Sequence, residues 1–287
     1  MPLCSSVLVV FGLLYLKQAQ QKGISTWTSM IAVSWSCALM FPVLAVTMGG
    51  RMHPQLLWQP ATMGCLFLAG QLFTFLAVEK GDVSIAAPVL GVKVLIVPAT
   101  APMFVNEQAS TQIWLAAAIA VIGIGFIQVR DESVDRAKIL TSVGFALLAA
   151  VSMTLFDLLI ARWAENWGAG YFLPIGITWA AVLSLAFLKR GDSLTELRRK
   201  KALKPLTIGA VLMALQAIGM TLTIGRFQDV TRVNIVYSLR GLWGVLLTWL
   251  LAQKLVESDT TTGHRTMAMR LLGALLIGVS VVISVNE

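Results

Sequence analysis

Gly81-Asp-Val-Ser-Ile-Ala-Ala-Pro-Val-Leu-Gly-Val-Lys93 has a counterpart later in the chain, Gln228-Asp-Val-Thr-Arg-Val-Asn-Ile-Val-Tyr-Ser-Leu-Arg240, at a shift of 147 positions. At this shift Asp82 falls on Asp229, and Lys93 falls on Arg240. Both stretches open segments that are otherwise apolar, so each half of the chain places one cation inside a hydrophobic span. The match predicts a protein built from two related halves around this pair of cations.

The composition indicates a membrane protein. The 287 residues are 57% hydrophobic and 13% charged, and the mean hydropathy is +0.80. Soluble domains carry about 25% charged residues, and a large soluble helical domain would need polar faces that these segments lack. Long apolar runs between short polar loops therefore predict an all-α integral membrane protein.

Ten apolar segments are candidates for spans, and a helix of this length crosses about 30 Å of hydrocarbon. Because the backbone must satisfy its own hydrogen bonds in lipid, we expect ten transmembrane helices. The predicted spans are 3–17, 26–48, 60–78, 84–105, 111–129, 139–161, 171–188, 205–225, 232–251 and 268–285.

The distribution of Lys and Arg predicts the orientation. The loops after the odd-numbered spans, with Lys17 and Arg270 at the ends of adjoining spans, carry 16 of these residues, and those after the even-numbered spans, with Arg232, carry 4. Cytoplasmic loops are enriched in Lys and Arg, so we expect the first group in the cytoplasm and both termini outside. The net charge of +8 is explained by this topology, and we expect no nucleic-acid partner.

The match between the halves extends beyond the opening pair. At a shift of 145, Gln71 meets Gln216 and Gly23 meets Gly168. We therefore predict two five-helix repeats, residues 1–135 and residues 136–287. An odd number of spans in each copy inverts the second copy, and inverted repeats around a midplane site are typical of secondary transporters.

Several motifs, in this order, resemble the EamA-like ten-helix members of the drug/metabolite transporter superfamily. The resemblance covers essentially the whole chain and rests on Ala77-Val-Glu-Lys-Gly-Asp-Val-Ser-Ile-Ala-Ala-Pro88, Pro98, Phe104-Val-Asn-Glu107, the run from Ala118 to Gly123 and Arg270-Leu-Leu-Gly273 to Gly278.

The resemblance implies transport of a small metabolite by alternating access, through a cavity lined by helices 3, 4, 8 and 9. The chain departs from the family at Asn106-Glu107-Gln108, which lacks the usual Gly and Arg. It also departs at Lys93 and Arg240, where many members are apolar. Members commonly keep both termini in the cytoplasm, whereas the Lys and Arg distribution predicts the opposite here.

Lys93 and Arg240 are the first candidate binding residues. Lys93 lies about 13 Å into its span by the helix rise, and Arg240 reaches a similar depth from the other side. A central Lys or Arg costs about 2.5–3.5 kcal/mol even on the lenient insertion scale. One interpretation is a closed ion-pair cluster that serves packing. The other is a cationic lining that binds a carboxylate or phosphate, for which the Arg fork and the Lys point charge are suited.

Asp157 is the remaining charge well inside a span. We expect it to pair with Lys93 or Arg240 in the empty site, or to carry a coupling proton if burial raises its affinity for one. A local pair with Arg162 is the alternative, although a separation of five residues is a poor helical spacing.

The other candidate substrate contacts are polar and aromatic. Gln71 and Gln216 suit ligand contact and interhelical hydrogen bonding about equally. Helical spacing places Tyr237 on the same face as Arg240, and Ser238 and Trp243 complete the predicted set.

Neither a metal site nor a cofactor site is indicated. Cys4, Cys37 and Cys65 have no metal-ligand spacing, and we expect them to be packing residues. His53 and His264 lie in predicted loops away from any carboxylate cluster, and no phosphate-cradling Gly-Lys-Ser/Thr loop is present. We therefore expect neither a cofactor nor an enzymatic activity.

The sequence thus predicts a multi-pass protein of the cell membrane that moves a small anionic or zwitterionic metabolite, such as an amino acid or an organic or phosphorylated acid. Its expected partners are that small-molecule substrate and the lipid bilayer, and a homodimer stays an option. Two alternatives remain open: a lipid-linked or sugar-phosphate flippase of the same superfamily, and a non-transporting membrane scaffold or sensor.

Overall fold

The computed structural model describes residues 1–79, 86, 89–105, 108–127, 136–251 and 264–286. Within these ranges the chain forms helices and turns and no strand. The α-helices are α1 Pro2–Gln21, α2 Thr26–Met40, α3 Val43–Met48, α4 Trp58–Glu79, α5 Lys93–Phe104, α6 Thr111–Ile127, α7 Arg136–Trp167, α8 Ala169–Ser184, α9 Leu194–Arg199, α10 Leu203–Phe227, α11 Val230–Tyr237, α12 Arg240–Leu251 and α13 His264–Val285. Two 3₁₀ turns cover Pro54–Leu56 and Leu185–Arg190.

Within the described residues, seven helical segments are long and apolar enough to cross a membrane. This confirms the prediction of an all-α, multi-pass membrane protein. Two further apolar helices, Val89–Phe104 and Thr111–Ile127, are shorter, and the count of ten spans stays a prediction. The seven segments are Pro2–Gln21, Thr26–Met48, Pro54–Ala77, Ile139–Trp167, Ala169–Arg190, Leu203–Phe227 and Ala268–Val285.

The predicted span 232–251 is not one continuous α-helix. A turn at 238–239 separates α11 from α12, where the N–H groups of Ser238 and Leu239 donate three residues back, to Ile235 and Val236. The Ser238 hydroxyl also donates three residues back, to the Ile235 carbonyl at 2.6 Å.

The predicted span 84–105 has a similar interruption. The Val92 N–H donates to the carbonyl of Val89, and the Leu95 N–H donates to that of Val92, again three residues apart. The α5 helix then begins at Lys93. Lys80, residues 81–85 and 87–88 of the opening stretch, and Asn106 and Glu107 lie outside the described residues. Short 3₁₀ segments inside helices often mark functional hinges.

Small residues set the closest helix contacts. Helix α6 packs against α13, and a Cβ added at Gly123 would meet the Gly273 carbonyl oxygen at 2.7 Å. The reverse contact, from a Cβ at Gly273 to the Gly123 oxygen, is 2.5 Å. Because lipid offers no hydrophobic force between helices, such close backbone approach is how membrane helices associate.

The main core lies between α1, α2, α4, α7, α8 and α10, which pack on one another around Trp167, Phe172 and Met30. Cys37 is buried in it, as its predicted packing role requires, whereas Cys4 and Cys65 are exposed. The packing prediction is therefore wrong for Cys4 and Cys65, because their faces of α1 and α4 point away from neighbouring helices.

Two turns fix the ends of the bundle, and both use a glycine with positive φ. Gly23 follows α1 with φ +80°, and Gly168 precedes α8 with φ +74°; the sequence match had paired these two residues. At the Gly168 end, the Arg51 N–H donates to the Trp167 carbonyl at 2.8 Å. We refer to this as the opposite end, and to the end that carries the turn at 22–25 and residues 185–204 as the basic end.

Candidate functional site

Lys93 is neutralised by Asp157 in this structure. As the first residue of α5 it projects its ammonium to 2.6 Å from Asp157 Oδ2 on α7. The Lys93 side chain is 18% exposed and that of Asp157 is 6% exposed. Of the alternatives for Asp157, the structure therefore has the pair with Lys93, and the local pair with Arg162 is absent from the described ion pairs.

Asn234 joins the same carboxylate, and the sequence analysis did not include it among the candidates. Its Nδ2 donates to Asp157 Oδ2 at 2.8 Å and to the Val230 carbonyl at 2.9 Å. The side chain is buried. Asp157 Oδ2 thus accepts from α5 and α11 at once, which ties three helices together. The sequence did contain a sign of this role, because Asn234 is an amide side chain within an apolar span, one helical turn before Tyr237.

Arg240 occupies the equivalent position in the second half and has a different environment. It is the first residue of α12 and is exposed. Its guanidinium carbon lies 4.8 Å from the centroid of the Tyr237 ring, as the predicted common face requires. Among the described residues no carboxylate lies within 4.0 Å of it. Cation–π contact holds such a group without neutralising it.

The two glutamines make interhelical hydrogen bonds. Gln216 accepts from the Tyr237 hydroxyl at 2.8 Å, which links α10 to α11. Gln71 accepts from the Ser34 hydroxyl at 3.4 Å, which links α4 to α2. The interhelical interpretation therefore holds for both residues, and their ligand contacts stay predictions.

Ser238 and Trp243 are engaged elsewhere. The Ser238 hydroxyl is buried and bonded within its own helix, because the turn after α11 points it back along the chain. The Trp243 indole N–H donates to the Ser6 hydroxyl at 2.9 Å, which fixes α12 against α1. Neither residue has a polar group directed at the Lys93–Asp157 pair.

The resulting site is a polar network in two parts. Hydrogen bonds join Lys93, Asp157 and Asn234, and one helical turn further along the chain Tyr237 and Arg240 make a cation–π contact. Lys93 and Asp157 neutralise each other, so the described part of the network has an excess of one positive charge, on Arg240.

Thr154 adds a polar group close to this network. It lies one helical turn before Asp157 on the same face of α7. It is buried, and its hydroxyl has no hydrogen-bond partner among the described residues. Buried hydroxyls nearly always have a partner, so Thr154 is a candidate donor to a bound molecule.

Among the described residues, no group of three His, Cys, Asp or Glu side chains is close enough to hold a metal ion.

Comparison with solved structures identifies the fold of the chain. No family model matches the chain, and no curated protein matches it in sequence. The chain is similar to a solved crystal structure, described only as that of a protein, with a TM-score of 0.64 at 16% identity. The match covers 99% of this chain and 96% of that chain, and it is one of 28 matching solved chains. The whole chain therefore adopts a fold already seen in crystals.

Proposed function

We propose that the protein is a secondary transporter, similar to the EamA-like members of the drug/metabolite transporter superfamily, that carries a small anionic or zwitterionic metabolite. The observation that carries this proposal is the environment of Arg240. A guanidinium without a carboxylate partner, stacked on Tyr237 at a helix interruption, is costly in an apolar bundle unless it binds something. A carboxylate or phosphate is the ligand for which a guanidinium fork is suited.

The helix packing supports two inverted repeats, residues 1–135 and residues 136–287. Exchanging the two halves of the chain maps α1 onto α7, α2 onto α8 and α10 onto α4. The α1–α10 contact then becomes the α4–α7 contact, and the α2–α10 contact becomes the α4–α8 contact. The α6–α13 contact becomes itself. Matched interruptions immediately before Lys93 and Arg240 fit the discontinuous helices that form midplane sites in such folds.

In this mechanism Arg240 binds the anionic group of the substrate, and Tyr237 holds the guanidinium in place. Lys93 is the second cation, paired with Asp157 while the site is empty. Protonation of Asp157 would remove the negative charge that restrains Lys93, so that Lys93 becomes free to contact the same anion. Proton uptake and anion binding would then favour each other, which is the coupling that a proton-driven transporter needs.

The orientation is part of the same proposal. The basic end carries most of the Lys and Arg residues, so it faces the cytoplasm by the positive-inside rule. Helix α1 ends at the basic end, which places the N-terminus outside.

The test is substrate binding and uptake by purified protein. A thermal-shift screen against carboxylates, amino acids and phosphate esters should find compounds that raise the unfolding temperature, since a specific ligand stabilises by mass action. In proteoliposomes, Arg240→Met should abolish uptake of such a compound while the protein still folds.

Arg232→Met is the matched control. Arg232 lies on the preceding helix α11 and pairs with Asp229 at 3.3 Å. Both side chains of this pair are more than a third exposed. It should transport like the original protein. Normal transport by Arg240→Met, or equal loss in both variants, would contradict the proposed role of Arg240.

A non-transporting scaffold or sensor is the second candidate, and one observation favours it. The Lys93–Asp157–Asn234 cluster is closed and mostly buried, as a purely structural cluster would be. Arg240 is the feature that such a protein does not need. Failure of every screened anion to bind, with an intact fold, would favour the scaffold. Binding of lipid-linked sugars in preference to soluble acids would instead favour a flippase.

A further inference from the structure

Asp192 links residues 185–204 by hydrogen bonds to the turn between α1 and α2 and to the first turn of α2. Its Oδ2 accepts from the Ser25 N–H at 2.6 Å and from the Thr28 hydroxyl at 2.8 Å. Its Oδ1 lies 3.3 Å from the Lys200 ammonium. Burial alone would raise the pKa of Asp192, but these hydrogen bonds and the Lys200 charge together lower it below its ordinary value. The carboxylate therefore stays ionised and holds the two loops together.

Two lysines complete this connection through backbone carbonyls. Lys200 donates to the Gly23 carbonyl at 2.5 Å, and Lys22 donates to the Lys201 carbonyl at 2.8 Å. The end of α1 and the residues around α9, which are far apart in sequence, therefore form one surface.

That surface collects cations, and the two carboxylates of residues 185–204 are already engaged in hydrogen bonds. Asp192 and Glu196 are the carboxylates of residues 185–204, and Glu196 accepts from the Ser193 N–H at the start of α9, so both are engaged. The exposed cations that the connection brings to this end include Lys17, Lys22, Arg198, Arg199, Lys201 and Lys204.

The side chains of α9 are distributed as in a segment that lies at a membrane surface. The reciprocal Ser193–Glu196 cap fixes its first turn, and Leu197 is buried beneath it. Leu194 is 56% exposed and Leu203 is 38% exposed, so apolar side chains accompany the cations on the outer surface. Leucines beside Lys and Arg are typical of segments that lie in the headgroup region of a bilayer.

The backbone at Lys201 ends α9 and joins it to α1. Its φ is +51°, and the Ala202 N–H donates to the Leu197 carbonyl at 3.0 Å, the pattern by which a left-handed residue ends a helix. The conformation turns the Lys201 carbonyl toward Lys22, which donates to it.

We propose that the basic end binds the headgroups of anionic phospholipids, and that a bound lipid bridges the end of α1 to α9. The phosphate would be shared by cations from both segments, and the exposed leucines would enter the acyl boundary. Anionic lipid would thereby strengthen the connection that Asp192 makes. This proposal does not depend on what the central site carries.

The experiment uses the full chain, purified in a neutral detergent and titrated with phosphatidylglycerol or phosphatidylcholine. Phosphatidylglycerol should raise the unfolding temperature, and phosphatidylcholine should not. An Arg198→Gln/Arg199→Gln variant should bind phosphatidylglycerol about 30-fold more weakly, at about five-fold for each cation. Added salt should weaken binding to the original protein, because the contacts are exposed and therefore screened.

Arg51→Gln/Arg226→Gln is the matched control, because it removes two exposed cations from the opposite end. It should retain the phosphatidylglycerol effect. Equal loss in the two double variants, or equal stabilisation by both lipids, would overturn the proposal. Stabilisation by inorganic phosphate as strong as that by phosphatidylglycerol would also overturn it, since the acyl chains would then contribute nothing.

Discussion

The Lys93–Asp157 pair should dominate the stability of the bundle centre, and a double-mutant cycle measures its contribution. Removing one member of a buried pair costs about 3–5 kcal/mol, because the other charge is left buried and unpaired. Lys93 is 18% exposed, so partial hydration reduces this cost. We expect a loss of about 3 kcal/mol for Asp157→Asn, which leaves the ammonium without its carboxylate.

Lys93→Met should cost less, about 2 kcal/mol, because the carboxylate retains its bond from Asn234. The double variant removes both charges, and the amide oxygen that replaces the carboxylate on α7 can still accept from Asn234. We therefore expect the double variant to cost about 2 kcal/mol, less than Asp157→Asn alone, which corresponds to a coupling energy of about 3 kcal/mol.

Unfolding of the purified protein in mixed detergent micelles, followed by tryptophan fluorescence, measures each corner of the cycle. The Asp229–Arg232 pair provides the control cycle. It is exposed, and such pairs contribute at most about 1 kcal/mol. Additive effects at Lys93 and Asp157, or equal coupling in the two cycles, would refute the assignment of a buried ion pair.

Three further predictions concern packing, pH and hydrogen bonding. Gly123→Ala should destabilise the protein by about 1–3 kcal/mol through overpacking against α13, whereas Gly125→Ala, which meets no atom within 4 Å, should be neutral in the same unfolding assay. Asp192 has a lowered pKa in the folded protein, so the stability it contributes is complete above its ordinary pKa near 4 and is lost as the pH falls through the pKa of the folded state. Asp192→Asn should therefore make the unfolding temperature depend less on pH between about pH 5 and pH 3. Tyr237→Phe should cost about 1–2 kcal/mol, because it leaves the amide oxygen on α10 without its donor, while ligand-induced thermal shifts persist; complete loss of those shifts would place the hydroxyl on the substrate.

The sequence predicted the membrane-spanning helices well where apolar runs are long. The segment 205–225 was predicted to within two residues of each end of the observed helix Leu203–Phe227, because the length of an apolar run is decided by local composition. The interruption after Tyr237 was not predicted, because the segment 232–251 is mostly apolar and contains no proline. Composition cannot show where the backbone of such a segment leaves the regular helical ladder.

The central residues were predicted by type, and their partners were left open. Lys93, Asp157 and Arg240 were recognisable because charges are rare in apolar spans. The choice of Lys93 rather than Arg240 as the partner of Asp157 depends on the rotation of α5 and α7, which no local pattern specifies. Asn234 was missed for the same reason, because its role exists only where three helices meet.

The long-range packing of α1 has a consequence for how the chain is made. Helix α1 ends at Gln21, and its main partner α10 ends at Phe227, so roughly 200 residues separate them. At about 5–20 residues per second, α1 waits about 10–40 seconds in the bilayer before its partner has been synthesised. During that interval the face around Gly12, which finally lies against Gly209, is covered by lipid or by an insertion factor. Slower synthesis of the second half should therefore lengthen the time during which membrane proteases can attack the unpaired first helix.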